Sequence, residues 1–248
     1  MILHPAFAAG DHRLVCAIST RQGGVSTGSF GSNLSFSVGD DPAAVEENRR
    51  RFFAEAGVPA DRLVFQRQVH GDVVCHVQGP GVLDATDGCY TATPDLYLCV
   101  TIADCVPVFL FDPGVPAVGV VHAGWRGTVG EIARKGVEAM IRTLGAQPSR
   151  MKAYIGPSAG VCCYAVGEEV WSRLPASCIV EESGVRKADL KGANRELLIA
   201  AGVPESAVVV DLACTICGAE VYHSHRREGS ASGRMMGVIG VRGPGPVG

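Results

Sequence analysis

The chain has 248 residues, of which 47% are hydrophobic and 19% are charged, and its formal net charge is −3 at pH 7. This composition is typical of a globular protein with a sizeable core and excludes a disordered chain. The small negative charge and the short Lys/Arg clusters predict no binding to nucleic acid or to an anionic membrane. No run approaches the roughly 20 apolar residues of a membrane-spanning helix.

The first ten residues lack the charged start and the long apolar stretch of a secretory signal, so we expect a cytoplasmic protein. Its ten cysteines are too sparse for a small disulfide-stapled scaffold, and we expect most of them to be reduced. Cys16, Cys75 and Cys99 lie in Val/Leu-rich runs and are interpreted as small buried hydrophobes.

The predicted elements of the first half begin with a strand over residues 14–20. A helix then begins at Asp40-Asp41-Pro42, where an acidic cap precedes a proline in the first turn, and it ends at Gly57. Short apolar runs bounded by turn residues predict three buried strands, over residues 96–102, 106–111 and 117–121.

The second half alternates between the same two types of element. A helix over residues 129–144 ends at Gly145, and helices near 168–174 and 189–201 follow. Strands are predicted near Ala153, Ile179, Val209 and Val238. Strands interleaved with helices predict an α/β fold, a single layered α-β-α domain over residues 1–248 with a mixed sheet. The Gly/Pro-rich residues 240–248 are expected to form a flexible tail.

Three short segments place reactive side chains at the ends of apolar strands: Gln68-Val69-His70-Gly71, Asp104-Cys105-Val106-Pro107 and His122-Ala123-Gly124-Trp125-Arg126-Gly127. Sites in layered α/β proteins usually assemble at such strand ends. Two histidines and a thiolate suit zinc or copper, and three ligands with a fourth position open are typical of a catalytic site. The spacings match no local zinc-finger pattern, so the residues alone leave open whether the three side chains meet.

Over nearly its whole length the sequence resembles the bacterial YfiH family, also called the multicopper polyphenol oxidase or laccase-domain family. The three segments above carry this resemblance together with motifs spread along the chain. These motifs are Thr20-Arg21-Gln22-Gly23-Gly24-Val25-Ser26, Asn33-Leu34, Val38-Gly39-Asp40-Asp41-Pro42, Asp84-Ala85-Thr86-Asp87-Gly88 with Thr91, Ile155-Gly156-Pro157, Cys163-Tyr164, Ser224-His225-Arg226-Arg227 and Gly233-Arg234.

The resemblance implies that His70, Cys105 and His122 are metal ligands and catalytic residues, with Zn²⁺ or Cu²⁺ as the cofactor. It also implies phosphorolysis of adenosine, inosine and methylthioadenosine, and deamination of adenosine. Zinc suits deamination because it lowers the pKa of water toward neutrality, although the usual base-deaminase signature is absent. The expected partners are a purine nucleoside and phosphate, and the expected state is a monomer or homodimer.

We predict that four residues bind the substrate: Arg21, Asp87, Arg126 and Arg226. The three arginines could hold phosphate through charge-assisted hydrogen bonds. Each is also compatible with an ordinary surface or structural role, and the sequence does not choose between these roles.

Several alternatives remain open. Cys105 with His122 could act as nucleophile and base in a hydrolase, with Asp104 or Asp87 orienting the histidine. The family resemblance implies that such a hydrolase could edit peptidoglycan precursors. A copper-dependent polyphenol oxidase and a non-enzymatic binding domain are weaker readings.

A rival metal site, a structural zinc, could combine the Cys214-x-x-Cys217 pair with the His223-x-His225 pair. The adjacent Cys162 and Cys163 are interpreted as a strand-to-loop detail, because neighbouring cysteines form only strained disulfides.

Overall fold

A computed structural model gives the fold and describes residues 2–8 and 10–244. The strands of this part of the chain are β1 (Ile2–Leu3), β2 (Leu14–Ser19), β3 (Leu63–Gln66), β4 (Val74–His76), β5 (Gly81–Leu83), β6 (Gly88–Thr91), β7 (Tyr97–Ile102), β8 (Val106–Asp112), β9 (Ala117–Ala123), β10 (Lys152–Ile155), β11 (Ile179–Glu182), β12 (Val185–Ala188), β13 (Val208–Val210) and β14 (Met235–Val241). The α-helices are α1 (Pro42–Ala56), α2 (Trp125–Val129), α3 (Ile132–Leu144), α4 (Glu168–Trp171), α5 (Leu190–Ala200) and α6 (His225–Glu228).

Most strands belong to two six-stranded sheets. The first sheet has the order β1-β2-β14-β7-β3-β5, and the second has the order β13-β10-β8-β9-β6-β4. Each sheet is mixed, since antiparallel pairs lie beside parallel ones such as β3 with β7 and β10 with β13. The remaining strands, β11 and β12, form an antiparallel hairpin.

The two sheets pack face to face, and helices cover their outer faces. Alternate residues of a strand point to opposite sides of a sheet, so Ile239 of β14 faces Phe109 of the second sheet while Val238 packs with Phe52 of α1. On the far side, the second sheet packs against α3 and α5. The predicted mixed α/β class is confirmed, with two sheets forming the middle of the layered structure.

The predicted first helix has the expected signals at both ends. Asp41 caps α1 by accepting a hydrogen bond from the Ala43 N–H at 3.0 Å, Pro42 lies in the first turn, and Gly57 ends the helix in the left-handed region with φ 67°. The capping carboxylate and the glycine satisfy backbone groups that a helix end otherwise leaves unpaired.

Two predicted boundaries are wrong. The helix predicted from residue 129 begins at Ile132, because the short α2 ends at Val129 and Glu131 turns the chain with a φ of 60°. The predicted tail begins too early, because Gly240 and Val241 are buried at the end of β14, beside Tyr97. The last four residues of that predicted tail, 245–248, lie outside the described residues. Among the residues described, no helix is long and apolar enough to cross a membrane.

The close approach of the two sheets depends on Gly237 of β14. A Cβ atom at this position would lie 2.5 Å from Cζ of Phe109, far inside van der Waals contact. We therefore expect Gly237→Ala to lower the free energy of unfolding by about 1–3 kcal/mol through overpacking, measured by urea denaturation. Gly79→Ala is the matched control, since a Cβ there meets no atom within 4 Å; equal stability of the two variants would contradict the packing argument.

Candidate metal centre

The three predicted ligands converge in the structure. One ligand atom from each of His70, Cys105 and His122 lies within 4.8 Å of the other two, and the two imidazole rings meet edge to face with centroids 5.0 Å apart. They come from the loop after β3, the turn between β7 and β8, and the end of β9. Their exposure is graded: His70 is exposed, Cys105 is half-buried and His122 is buried.

Asp87, at the start of β6, holds two of these ligands in place. Its carboxylate accepts backbone N–H hydrogen bonds from Val69 at 3.1 Å, His70 at 3.0 Å and Gly71 at 2.7 Å. It also lies 2.8 Å from Nδ1 of His122. Because Nδ1 donates to this carboxylate, the other ring nitrogen, Nε2, is the one that a metal would bind in place of its proton, as is usual for metal-ligating histidines.

The turn that carries Cys105 is held from both sides. Asp104 adopts a φ of 89°, and its carboxylate accepts hydrogen bonds from the Thr215 hydroxyl at 2.7 Å and from the Arg226 N–H at 2.7 Å. These bonds compensate for a backbone conformation that a non-glycine residue rarely adopts. Gly124 completes the centre, because a Cβ there would lie 3.1 Å from the Cys105 sulfur and 3.2 Å from His70.

Charges at the centre reinforce one another. Burial acts to raise the pKa of Cys105, but the adjacent His122 and His70 outweigh it and lower the pKa to about 6. Burial acts to lower the pKa of His122, but Cys105 and Asp87 raise it to about 9. Burial also acts to raise the pKa of Asp87, yet its hydrogen bonds from His122 and Gly71 lower it. Near neutral pH, Cys105 is therefore a thiolate, the form that binds metals and attacks carbonyl carbon.

The centre opens into a cleft of about 890 Å³. Five arginines line this cleft: Arg49, Arg67, Arg126, Arg226 and Arg234. Arg67 pairs with Asp84, whereas the other four make no salt bridge within the described part of the chain. Of these, Arg126 and Arg226 lie over aromatic rings, those of Trp125 at 4.4 Å and Tyr164 at 5.1 Å. The cleft therefore presents uncompensated positive charge beside the candidate ligands.

The four predicted substrate-binding residues occupy different environments. Arg126 and Arg226 line the cleft, and their role in substrate binding stays a prediction. Asp87 is fully buried behind His122, where its carboxylate has protein partners. Arg21 forms a salt bridge with Glu228 at 2.7 Å and donates to the Ala219 carbonyl, outside the set of residues that line the cleft. The substrate-binding roles of Asp87 and Arg21 stay predictions as well, although both side chains already have protein partners.

Several residues that line the cleft were not predicted from the sequence. Gln68 binds the Thr101 backbone at both its N–H and its carbonyl, at 2.8 and 3.0 Å, and so fixes the loop before His70. Phe36 and Phe65 lie on the cleft wall with the Arg49 guanidinium between them, 4.5 and 4.6 Å from their centroids. The exposure of Phe36 indicates this aromatic wall, but exposure can be read only from the folded structure and not from the sequence.

The rival site predicted from Cys214 and Cys217 takes a different form. Their sulfurs lie within 4.8 Å of those of Cys162 and Cys163, and we call these four residues the four-cysteine cluster. The predicted histidine partners are elsewhere: His225 is at 3.0 Å from the Gly229 carbonyl, and His223 is buried beside Glu228. Cys162 and Cys163 lie in the loop after β10, where their sulfurs meet those of the other pair. All ten cysteines, which are among the described residues, are free thiols.

Comparison with known proteins identifies the family. The sequence model of the family described as "Multi-copper polyphenol oxidoreductase laccase" matches residues 15–242. The chain therefore belongs to this family, and the resemblance seen in the sequence is confirmed.

Individual relatives match over most of their length. A Deinococcus radiodurans protein named purine nucleoside phosphorylase is 42% identical over 245 residues, covering 96% of this chain and 93% of its own. A protein from an unknown prokaryotic organism named adenosine deaminase RL5 is 37% identical over 224 residues, covering 83% and 85%. The crystal structure of YlmD from Geobacillus stearothermophilus has a TM-score of 0.89 at 37% identity, covering 94% of this chain and 93% of that one.

The role of Asp87 can be tested through metal affinity. Asp87→Asn loses the negative charge that fixes His122 and weakens the backbone bonds that hold His70. We expect zinc affinity, measured by competition with a chromophoric chelator, to fall by about 10- to 100-fold. Asp84→Asn, at an exposed carboxylate three residues away, should bind zinc as the wild type does. Unchanged affinity in Asp87→Asn would show that the carboxylate does not organise the centre.

The buried His223 predicts a pH-dependent stability. Its ring is fully buried with neither nitrogen hydrogen-bonded among the described residues, and burial with nearby Arg21 lowers its pKa from 6.5 to about 4. Between these pH values the unfolded chain binds a proton that the folded protein rejects, so the free energy of unfolding decreases as the pH falls.

We expect this loss to reach about 3 kcal/mol between pH 7 and pH 4. Measured by urea denaturation across this range, His223→Gln should show a shallower dependence on pH than the wild type. The exposed His12→Gln is the control and should keep the wild-type slope. Identical slopes in all three proteins would mean that folding does not lower the pKa of His223.

Proposed function

We propose that this protein is a metal-dependent purine nucleoside enzyme that cleaves adenosine, inosine and methylthioadenosine with phosphate and also deaminates adenosine. The observation that carries the proposal is that a His-Cys-His group and several arginines without salt bridges, among them Arg126 and Arg226, line one cleft. Relatives named purine nucleoside phosphorylase and adenosine deaminase support this substrate class. We expect the protein to act in the cytoplasm as a monomer or homodimer.

The donor set of the centre fits zinc or copper. His70, Cys105 and His122 supply two imidazoles and a thiolate within 4.8 Å of one another, and the buried Asp87 orients His122 as an outer partner does in metal sites. A bound ion would supply Lewis acidity beside the substrate. A fourth ligand could come from substrate or water, because all three side chains line the cleft and catalytic zinc sites leave one position open.

The two arginines suit the phosphate co-substrate. Arg126 and Arg226 line the cleft without a carboxylate partner among the described residues, and guanidinium groups bind phosphate through paired charge-assisted hydrogen bonds. Phosphate held there attacks C1′ of the ribose as the bond from C1′ to N9 breaks, and the electron pair leaves with the purine. The same arginines orient the nucleophile and lower the repulsion between it and the departing base.

The aromatic wall suits the purine. Phe36 is 56% exposed, which is unusual for a phenylalanine of a compact domain, and it lies with Phe65 and Arg49 along the cleft. A flat base can stack on such faces, and stacking contributes about 1–3 kcal/mol per base in other proteins. A wall of this kind tolerates adenine and hypoxanthine alike, in agreement with a broad nucleoside range.

One observation favours a second candidate, hydrolysis through the thiol. The Cys105 thiolate, His122 and Asp87 form a chain of nucleophile, base and orienting carboxylate. In that reading Cys105 attacks an acyl carbon and His122 returns a proton to the leaving group. Formation of a covalent Cys105 adduct by protein stripped of metal would favour it.

Turnover by purified protein tests the proposal. With zinc bound, the wild type should release adenine from adenosine only when phosphate is present, and should form inosine without it; both are measured by chromatography. Cys105→Ala removes a ligand, so both activities should fall by more than about 100-fold, beyond the effect of losing an outer partner.

Cys75→Ala is the matched control, since this half-buried cysteine lies outside both candidate metal sites. It should retain the metal and both activities. Loss of metal from Cys105→Ala with unchanged nucleoside turnover would contradict the proposal. Adenosine cleavage that ignores phosphate would contradict the phosphorolysis part alone.

A further inference from the structure

The four-cysteine cluster lies outside the cleft, on two loops that follow neighbouring parallel strands. Cys162 and Cys163 come after β10, and Cys214 and Cys217 come after β13. Because the carboxyl ends of parallel strands meet at one edge of a sheet, the two loops are brought together there. A bridge from Ser158 to Cys214 continues the pairing beyond the strands.

The sulfur positions are those of a site for a single ion. All four sulfurs lie within 4.8 Å of one another, and those of Cys162 and Cys217 are 4.0 Å apart. Bonds of about 2.3 Å from zinc to four sulfurs place neighbouring sulfurs about 3.8 Å apart in a tetrahedron. A small inward movement of the side chains therefore completes the coordination.

The backbone around Cys214 is shaped to receive a thiolate. The Gly160 N–H donates to its sulfur at 3.2 Å, and the backbone N–H groups of Gly160, Ile216 and Cys217 act to lower the pKa of this thiol. Backbone donors to a sulfur stabilise its anionic form and orient it toward a metal. Glycine at position 160 eases this approach, since a Cβ there would make tight contacts, 3.0 Å from Cβ of Cys214 and 3.2 Å from the Cys162 sulfur.

Two further features match a thiolate site. Gly218, directly after the Cys-x-x-Cys segment, closes the turn by donating to the Cys214 carbonyl at 2.9 Å. Lys187 and Lys191 lie within electrostatic range of Cys162; Lys191 is buried and binds the Asp211 and Ala213 carbonyls. Four thiolates around a divalent cation leave a net negative charge, which the buried Lys191 ammonium partly offsets; Lys187 is already paired with Glu182 at 2.6 Å.

We propose that the four-cysteine cluster binds one structural zinc ion. Four protein sulfurs fill the coordination sphere, as in structural sites, so no position is left for substrate. The ion links the loop after β10 to the loop after β13. Its place in the fold is separate from the His-Cys-His centre, and the proposal stands whether or not the chain processes nucleosides.

The loop that the proposed ion would fix is bonded to the cleft at two places. Thr215, within the Cys-x-x-Cys segment, donates its hydroxyl to Asp104, the residue before Cys105, at 2.7 Å. Arg227 binds the Thr215 and Ile216 carbonyls at 2.7 Å each, and its neighbour Arg226 lines the cleft. Fixing this loop therefore fixes the turn that presents Cys105.

Cobalt substitution of the full-length protein tests the proposal. Cys105→Ala disables the other centre, so cobalt bound by this variant should show intense sulfur-to-cobalt charge transfer and the d–d bands of a tetrahedral four-sulfur site. X-ray absorption of its zinc form should give four sulfurs at about 2.3 Å. All four cluster cysteines are intact in Cys105→Ala, so the absence of a four-sulfur signature in this variant would overturn the proposal.

Cysteine variants assign the ligands. Cys162→Ser, at an exposed position, should lose about one equivalent of zinc per chain relative to the wild type, as measured by elemental analysis after dialysis. Cys75→Ser is the control and should keep the wild-type zinc content. Equal zinc content in Cys162→Ser and Cys75→Ser would overturn the assignment. A disulfide between Cys162 and Cys217 in protein purified under reducing conditions would overturn it as well, because oxidised sulfurs do not bind zinc.

Discussion

A single buried carboxylate, Asp87, joins the parts of the molecule from which the candidate metal centre is made. It accepts three consecutive N–H groups from the loop after β3 and binds His122 at the end of β9. These two segments belong to different sheets, so the carboxylate sets the position of one sheet edge against the other. Its buried charge is stabilised because four N–H donors converge on it. A neutral side chain could not accept the same set of hydrogen bonds with the same strength.

The parts of this arrangement that depend on local pattern could be predicted. Helix α1 carries its cap and its terminating glycine in the sequence, and the strands that lead to Cys105 and His122 are uninterrupted apolar runs. Polar residues at the ends of such runs point to a site. The choice of His70, Cys105 and His122 as partners came from the family resemblance, because their spacing along the chain carries no information about distance.

What could not be predicted depends on how strands are ordered in the sheets. The short strands between Leu63 and Thr91 alternate poorly and were not recognised. Asp87 was therefore predicted to bind substrate and, in the alternative hydrolase, was one of two candidates for orienting His122, with no means of choosing between these roles. The four-cysteine cluster forms because β10 and β13 are parallel neighbours, although more than fifty residues separate their cysteine pairs. Pairing of distant strands follows from packing of the whole chain, which no local window of sequence contains.

His70 differs from the other two candidate ligands in both exposure and backbone conformation. Its φ of 60° lies in the left-handed region, which costs a non-glycine residue of order 1 kcal/mol, and only the loop bonded to Asp87 keeps it there. His122, in contrast, is buried within a strand. The centre therefore has a buried side at His122 and an exposed side at His70. We expect an ion from the solvent to enter and leave on the side of His70.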